Sequence, residues 1–434
     1  VVGNTVSYYV VAQDSAARPN VSANPATGAT GFTFNPPAVS TPPTTPNSYT
    51  IVPPPISGGK TVGTGGDYAT LTAAVAALNS STITGPVVFS LTSATVETFP
   101  ITINANSGSS AVNTVTIKPA PGVSPSFSGS SASCMINLSG ADWVIIDGSN
   151  TVGGTSRDLT ITNTNTGTSS ADVCLTSTGV GAGATNNTVK NTNLVGTTIT
   201  ATPRTLAGVF SGSSTVSIAS AGADNDNNTI QNNNITKTQY GIYAGGASAA
   251  NKNTGTVITQ NVMNAAEPNN VTTGGILVNF EDGTQVTQND ISILKSTGGT
   301  TGTTTTAFGI ALGLVPINVT SFTGSDVVNA VVSRNKIDGV TQLHTNGYSA
   351  FGIVVNTVTS GITLVSNNMI SGIRASSTTP DFSAGIVAGG GAGSTTQIYN
   401  NSVSMTGTRG AATFPSYGLA VGGSNPTVDV RDNI

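Results

Sequence analysis

The second half of the chain repeats one pattern: an apolar residue, two others, Asn, one more residue and a second apolar one, as in Val286-Thr-Gln-Asn289-Asp-Ile291. Further copies are Ile230 with Asn233 and Ile235, Ile258 with Asn261 and Met263, Val332 with Asn335 and Ile337, Val365 with Asn368 and Ile370, Ile398 with Asn401 and Val403, and a last one at Val430 and Asn433. All but the last are followed by a Gly that precedes an aliphatic residue, at Gly241, Gly275, Gly309, Gly352, Gly385 and Gly418. Counted from Gly208, these marks are spaced 33, 34, 34, 43, 33 and 33 residues apart. Such self-similarity predicts a solenoid, in which each unit buries its apolar face only against its neighbours. The one long interval places an inserted loop near Val315 to Asp326.

Parity gives the geometry. Residues five apart on a straight strand face opposite ways, yet both apolar residues flanking each Asn read as core, so the chain bends between them. Asn tolerates the left-handed conformation such a bend needs, and identical Asn side chains stacked on successive rungs can hydrogen-bond along the column. The pattern therefore predicts a parallel β-helix with Asn233, Asn261, Asn289, Asn335, Asn368, Asn401 and Asn433 in one corner column, an asparagine ladder. The Gly-containing stretches read as strands of period two, which places Phe308, Phe351, Tyr240 and Tyr417 inside with the aliphatics as an aromatic core stack rather than an outer sugar platform.

Upstream, Thr5 to Ala12 reads as one strand, and 1–35 resembles the last strands of a fibronectin type III or other immunoglobulin-like sandwich. Residues 36–58, with six prolines between Pro37 and Pro54, read as a polyproline-type linker that could reach up to about 60 Å when extended. The solenoid is expected over 59–434. It opens on Gly65-Gly66-Asp67-Tyr68-Ala69-Thr70-Leu71, where Thr70 reads as the N-cap of a short amphipathic helix that covers the first rung. With the strands Val87 to Leu91 and Val115 to Lys118, this cap resembles the opening of the pectin lyase-like right-handed β-helix superfamily. The resemblance implies the fold. It assigns no chemistry, because no position matches the Asp, Arg and Gln sets that lyases, hydrolases and methylesterases on that fold use.

Composition narrows the function classes. Charged residues are 7% of the chain, and 14 basic side chains against 18 acidic ones leave no footprint for nucleic acid. No apolar run is long enough to span a bilayer. The Thr, Ser, Asn and Gly richness suits an extracellular product, and both ends read as cut from something longer.

Each candidate for chemistry has a plainer structural reading. Asp147 in VIIDG is first a corner turn. Asp224, Asp226 and Asn228 have the alternation of calcium-loop ligands, but the loop supplies few charged oxygens and reads as a polar turn. Asp290 and Lys336 both follow a ladder Asn, so with Arg334 they form a charged spot on the repeat face, an ordinary surface ion pair with no second carboxylate in that column. His344 stands without a Ser, Cys or carboxylate partner. Cys134 and Cys174 are expected one rung apart, either bonded or as two buried thiols.

These readings lead to an expectation of a non-enzymatic extracellular protein: a stalk, adhesin module or filament subunit of a bacterial surface, with no catalytic, cofactor or metal site. Its expected partners are other copies of itself, adjoining domains of a longer chain, or surface polysaccharide. The alternatives are a polysaccharide lyase or glycoside hydrolase, or a carbohydrate-binding solenoid.

Overall fold

The computed structural model describes all residues except 1–2, 200–201, 296–305, 314–324, 344–348, 357–359, 376–381, 407–414 and 424. The chain divides into two compact units, residues 1–55 with 80–82, and 56–79 with 83–434.

The first unit holds three antiparallel two-stranded ladders: Thr5–Tyr8 with Asn47–Thr50, Val10–Gln13 with Val21–Asn24, and Thr30–Thr33 with Ala38–Thr41. The stretch read as an extended spacer is thus partly strand. Its prolines flank Ala38–Thr41 and Asn47–Thr50 and leave those two segments free to pair. The single strand expected over Thr5 to Ala12 is broken after Tyr8.

The second unit is a right-handed parallel β-helix. Three long sheets run its length: sheet A with twelve strands from Pro55–Val62 to Thr427–Arg431, sheet B with nine from Ser126–Gly129 to Ser402–Ser404, and sheet C with ten from Ile101–Asn104 to Ser416–Val421. Each rung passes from A through the Asn corner to B, and then to C. Register is kept rung by rung, as in Val286↔Val332↔Val365↔Ile398 on sheet A and Ile291↔Ile337↔Ile370↔Val403 on sheet B. These aliphatics form one continuous core.

The helix Leu71–Asn79 buries Leu71, Ala74, Val75 and Leu78. Thr70 Oγ1 accepts from the Ala73 N–H at 3.1 Å, and the Glu97 carboxylate takes the N–H groups of Leu71 and Thr72 at 2.8 and 2.7 Å. The first turn's orphan donors are therefore satisfied by an acid, which also suits the helix dipole.

The Asn column is continuous. Each amide oxygen takes the backbone N–H of the preceding rung's Asn, from Asn233 to Asn261 and on through Asn289, Asn335, Asn368 and Asn401 to Asn433, at 2.8 to 3.0 Å. The Nδ2 groups donate to the next amide oxygen and to a sheet A carbonyl, as Asn289 does to Asn335 Oδ1 and Ile258 O. The bend itself falls one residue earlier than expected. The left-handed residues are Asn232, Gln260, Gln288, Arg334, Asn367, Asn400 and Asp432, with φ between 51° and 60°, while the ladder Asn turns inward beside them.

Sheet C departs from simple alternation. Ala307 and Ile310 face the main core while Phe308 and Ala311 join a separate cluster on the outer side, so the strand is offset at Gly309. The expected inner aromatic stack is corrected accordingly. Phe308, Phe351 and Tyr240 are buried on the outer face of sheet C, and Tyr417 packs at its edge. Tyr240 and Phe308 meet 6.1 Å apart across Gly274, and Phe210 stacks on Tyr243 at 5.2 Å. The offset glycines have no room for a side chain: a Cβ at Gly309 would stand 2.7 Å from Gly352 O and 2.9 Å from Ile337. In this column Asp172 takes the place of Gly208 and its successors. It is fully buried, its carboxyl oxygens make no hydrogen bond that meets ordinary geometry, and burial holds its pKa well above the usual carboxylate range despite the nearby Asn163 N–H.

Two stability outcomes follow. Asn289→Ala leaves buried N–H and C=O groups unpaired and should cost about 2 to 4 kcal/mol, against about 1 kcal/mol for Asn433→Ala at the last rung. Asp172→Gly removes an unpaired buried acid and should raise the denaturation midpoint. Urea titration of the three variants checks both; equal losses at 289 and 433, or a lower midpoint for Asp172→Gly, would contradict the assignment.

Candidate functional site

The outer face of sheet B carries charge on strands held rigidly by the Asn corner. Asp290 opens the strand Asp290–Lys295 and Lys336 opens Lys336–Gln342, and the two residues are in register. Lys336 Nζ lies 3.5 Å from Asp290 Oδ1, and Asn264 Nδ2 donates to Asp290 Oδ2 at 2.9 Å. The ion pair expected here is present, with Arg334 exposed at the adjoining corner.

A second carboxylate stands on the same face. Asp338 follows Lys336 by two residues with buried Ile337 between them, and its Oδ1 accepts from Ser371 Oγ at 2.8 Å. Opposite it the ladder shifts: Ile291 pairs with Ile337 but Ile293 with Val340, so Asp338 and Gly339 together face Ser292. Gly339 has φ 97°. Such a bulge re-aims the side chain it carries. One rung across and two residues along place the backbones of Asp290 and Asp338 about 8 Å apart on the diagonal. Asp338 is not visible along the Asp290 column because it lies in the next outward column. The signal available was its spacing from Lys336.

The other described candidates are engaged in contacts within the fold. Asp147 is buried at the corner before Gly148, where its Oδ1 accepts from Ser149 N and Asn191 Nδ2 and its Oδ2 pairs with Lys190 at 3.3 Å. Asp224 Oδ2 accepts from Gly181 N and Asp226 Oδ1 from Thr254 N, while Asn228 Oδ1 accepts from Asn187 N. Asp224 and Asn228 point to the rung before and Asp226 to the rung after, so the three do not converge. Among the described residues no group of three His, Cys, Asp or Glu side chains is placed to hold a metal ion. Cys134 and Cys174 form a disulfide with Cα atoms 5.9 Å apart. His344 and most of the expected insertion at 315–326 lie outside the described residues.

Sequence reading also missed a shorter second ladder. Asn225 Oδ1 takes Ala184 N and Asn253 Oδ1 takes Asn225 N, at 2.9 and 3.1 Å, and on the next rung the position is Glu281. Glu281 is fully buried and accepts from Thr284 Oγ1 at 3.1 Å. Burial pushes its pKa up to about 7; the Thr256, Thr284 and Asn253 side chains act against that shift, and the Asp226 charge adds to it.

No protein-family model and no curated protein matches the chain. Solved structures do. The fold is similar to a GH136 lacto-N-biosidase from Eubacterium ramulus, with a TM-score of 0.48, 10% identity and coverage of 86% of this chain and 68% of that one. It is similar to a pectin methylesterase from Aspergillus niger (0.34, 13%, 85% and 87%) and to an alginate lyase from Paenibacillus sp. str. FPU-7 (0.34, 13%, 82% and 95%). The fold shared with them is the right-handed parallel β-helix. The expectation of a non-enzymatic stalk, adhesin or filament subunit is corrected by these neighbours, which are enzymes named for their action on glycans.

Glu281 generates a pH outcome. Its folded pKa lies above the unfolded 4.5, so the folded chain binds the proton more tightly, and stability is lost as pH rises from about 4.5 through about 7, by at most about 3 kcal/mol. Melting temperature measured from pH 4.5 to 8 should fall across that window, and Glu281→Gln should flatten the fall. A slope unchanged in the variant would refute the assignment.

Proposed function

We propose that the chain is an extracellular glycoside hydrolase acting on a polysaccharide, with Asp290 and Asp338 as its carboxylate pair. The observation that carries this reading is that two carboxylates flank Lys336 on one accessible sheet face, one of them at a β-bulge. Backbones about 8 Å apart on the diagonal allow the two carboxyl groups the roughly 6.5 to 9.5 Å separation of inverting hydrolysis, which leaves room for a water between one of them and the sugar. Asp290, beside the Lys336 ammonium, suits the base that takes a proton from the attacking water. Asp338 is then the acid that gives a proton to the glycosidic oxygen as the bond breaks. The action of the similar folds on glycans points the same way. No helix among the described residues is long and apolar enough to cross a membrane, and the Cys134–Cys174 disulfide favours an oxidising compartment.

Incubation with a panel of polysaccharides should release reducing ends. Asp290→Asn and Asp338→Asn should each lower the rate by about 10² or more, while Asp224→Asn should not. The anomer first formed, read by NMR, should be inverted. Activity that survives both substitutions would sink the pair.

A further inference from the structure

Between the carboxylate pair and the first rungs, sheet B offers a continuous outward stripe without a charged side chain. It runs over the strands Leu159–Asn163, Thr192–Val195, Asn234–Thr236 and Val262–Met263, and its outward residues include Thr160, Asn193, Val195, Asn234, Thr236 and Asn264. All are half-buried or exposed, because the alternating residues Ile161, Leu194, Ile235 and Met263 fill the core.

The amides in this stripe are preset. Asn234 Nδ2 donates to Asn193 Oδ1 at 3.2 Å, and Asn193 Nδ2 donates to Arg157 O at 2.8 Å. The charges nearest the stripe are mostly committed elsewhere. Arg157 donates to Asn232 O and Oδ1 at 2.8 and 2.6 Å, and Asp158 Oδ2 accepts from Asn150 N and Ser156 Oγ. Lys237 lies at the far border, past the strand end.

We infer that this stripe is the binding track for an uncharged polysaccharide, lying along the helix axis and running into the Asp290–Asp338 pair. The inference rests on the hydrolase reading for its direction, since that pair marks the end of the track. Four rung steps separate the strand Leu159–Asn163 from Asp290–Lys295, which at about 4.8 Å each gives about 19 Å. The rise of one rung is close to the length of one sugar unit in an extended chain, so Thr160, Asn193 and Asn234, one above another, can offer hydroxyl and amide groups to successive sugars, with Val262 next in the column before Asp290. A polymer with a carboxylate on each unit would meet no balancing cation along Thr160, Asn193 and Asn234, and at the end of the track it would meet two carboxylates against the one ammonium of Lys336. A neutral polymer trades its hydroxyl contacts with water for contacts with Asn and Thr at little desolvation cost.

Affinity electrophoresis of the full chain in gels holding a neutral galactan, a polymer of N-acetylhexosamine, polygalacturonate or alginate tests this. Retardation is expected in at least one neutral gel, at least tenfold stronger than in either acidic gel. The Asp290→Asn/Asp338→Asn double variant should be retarded in the same neutral gel, and Asn193→Lys/Asn234→Lys should shift retardation toward the acidic polymers. Equal or stronger retardation by polygalacturonate or alginate overturns the neutral track, as does the absence of retardation in every gel. Retardation by a neutral polymer that is never cleaved keeps the track and overturns the hydrolase, while cleavage of polygalacturonate does the reverse.

Discussion

The second unit depends on one constraint: where a parallel rung turns its sharpest corner, its backbone leaves the sheet, and the N–H groups there need new partners. A buried, unpaired N–H costs about as much as a lost hydrogen bond or more. The amide of the next rung's Asn supplies the missing acceptor, and its Nδ2 supplies a donor to a sheet carbonyl. Asn is suited because it carries both functions on a side chain short enough to stay beneath the turn. The corner thereby fixes where the following residue points. That is why Asp290 and Lys336 stand one above the other on the outer face of sheet B.

The same local accounting explains sheet C. The Gly column lets the chain offset within a strand, and the offset sends the preceding aromatic outward and the next aliphatic inward. A glycine with no room for Cβ is thus a switch of parity, and it builds a second apolar layer outside the first. Asp172, in the corresponding place three rungs before Gly275, shows what the column costs: a polar side chain there is buried without a full hydrogen bond from the protein.

Much of the fold was legible because the repeat declares it. The Asn and Gly marks, the Thr70 cap and the inward aliphatics could all be read from spacing alone. Parity fails at Gly309 because the glycine that permits the offset marks the repeat without telling which way the residues beside it face. In the Pro-rich segment the proline-free stretches Ala38–Thr41 and Asn47–Thr50 keep their N–H groups and pair as strands, which proline density alone does not reveal. The candidate site was half visible: Asp290 and Lys336 share a column and so could be found by reading rung against rung. Asp338 lies diagonal to Asp290 across a shifted ladder, and Glu281 sits on a ladder of only two Asn. Neither relation repeats often enough to emerge from a single sequence.

The Asn column has a direction. Every side-chain oxygen from Asn233 to Asn433 accepts from the rung before it, so the amide C=O groups all lean toward the Thr192 end, where Asn233 Oδ1 takes the Thr192 N–H and hydroxyl. Dipoles in series polarise one another, and each link strengthens its neighbours. The core of this solenoid therefore contains an electrically oriented wire of neutral groups, and a rung inserted anywhere along it must bring its own amide to keep the current of hydrogen bonds unbroken.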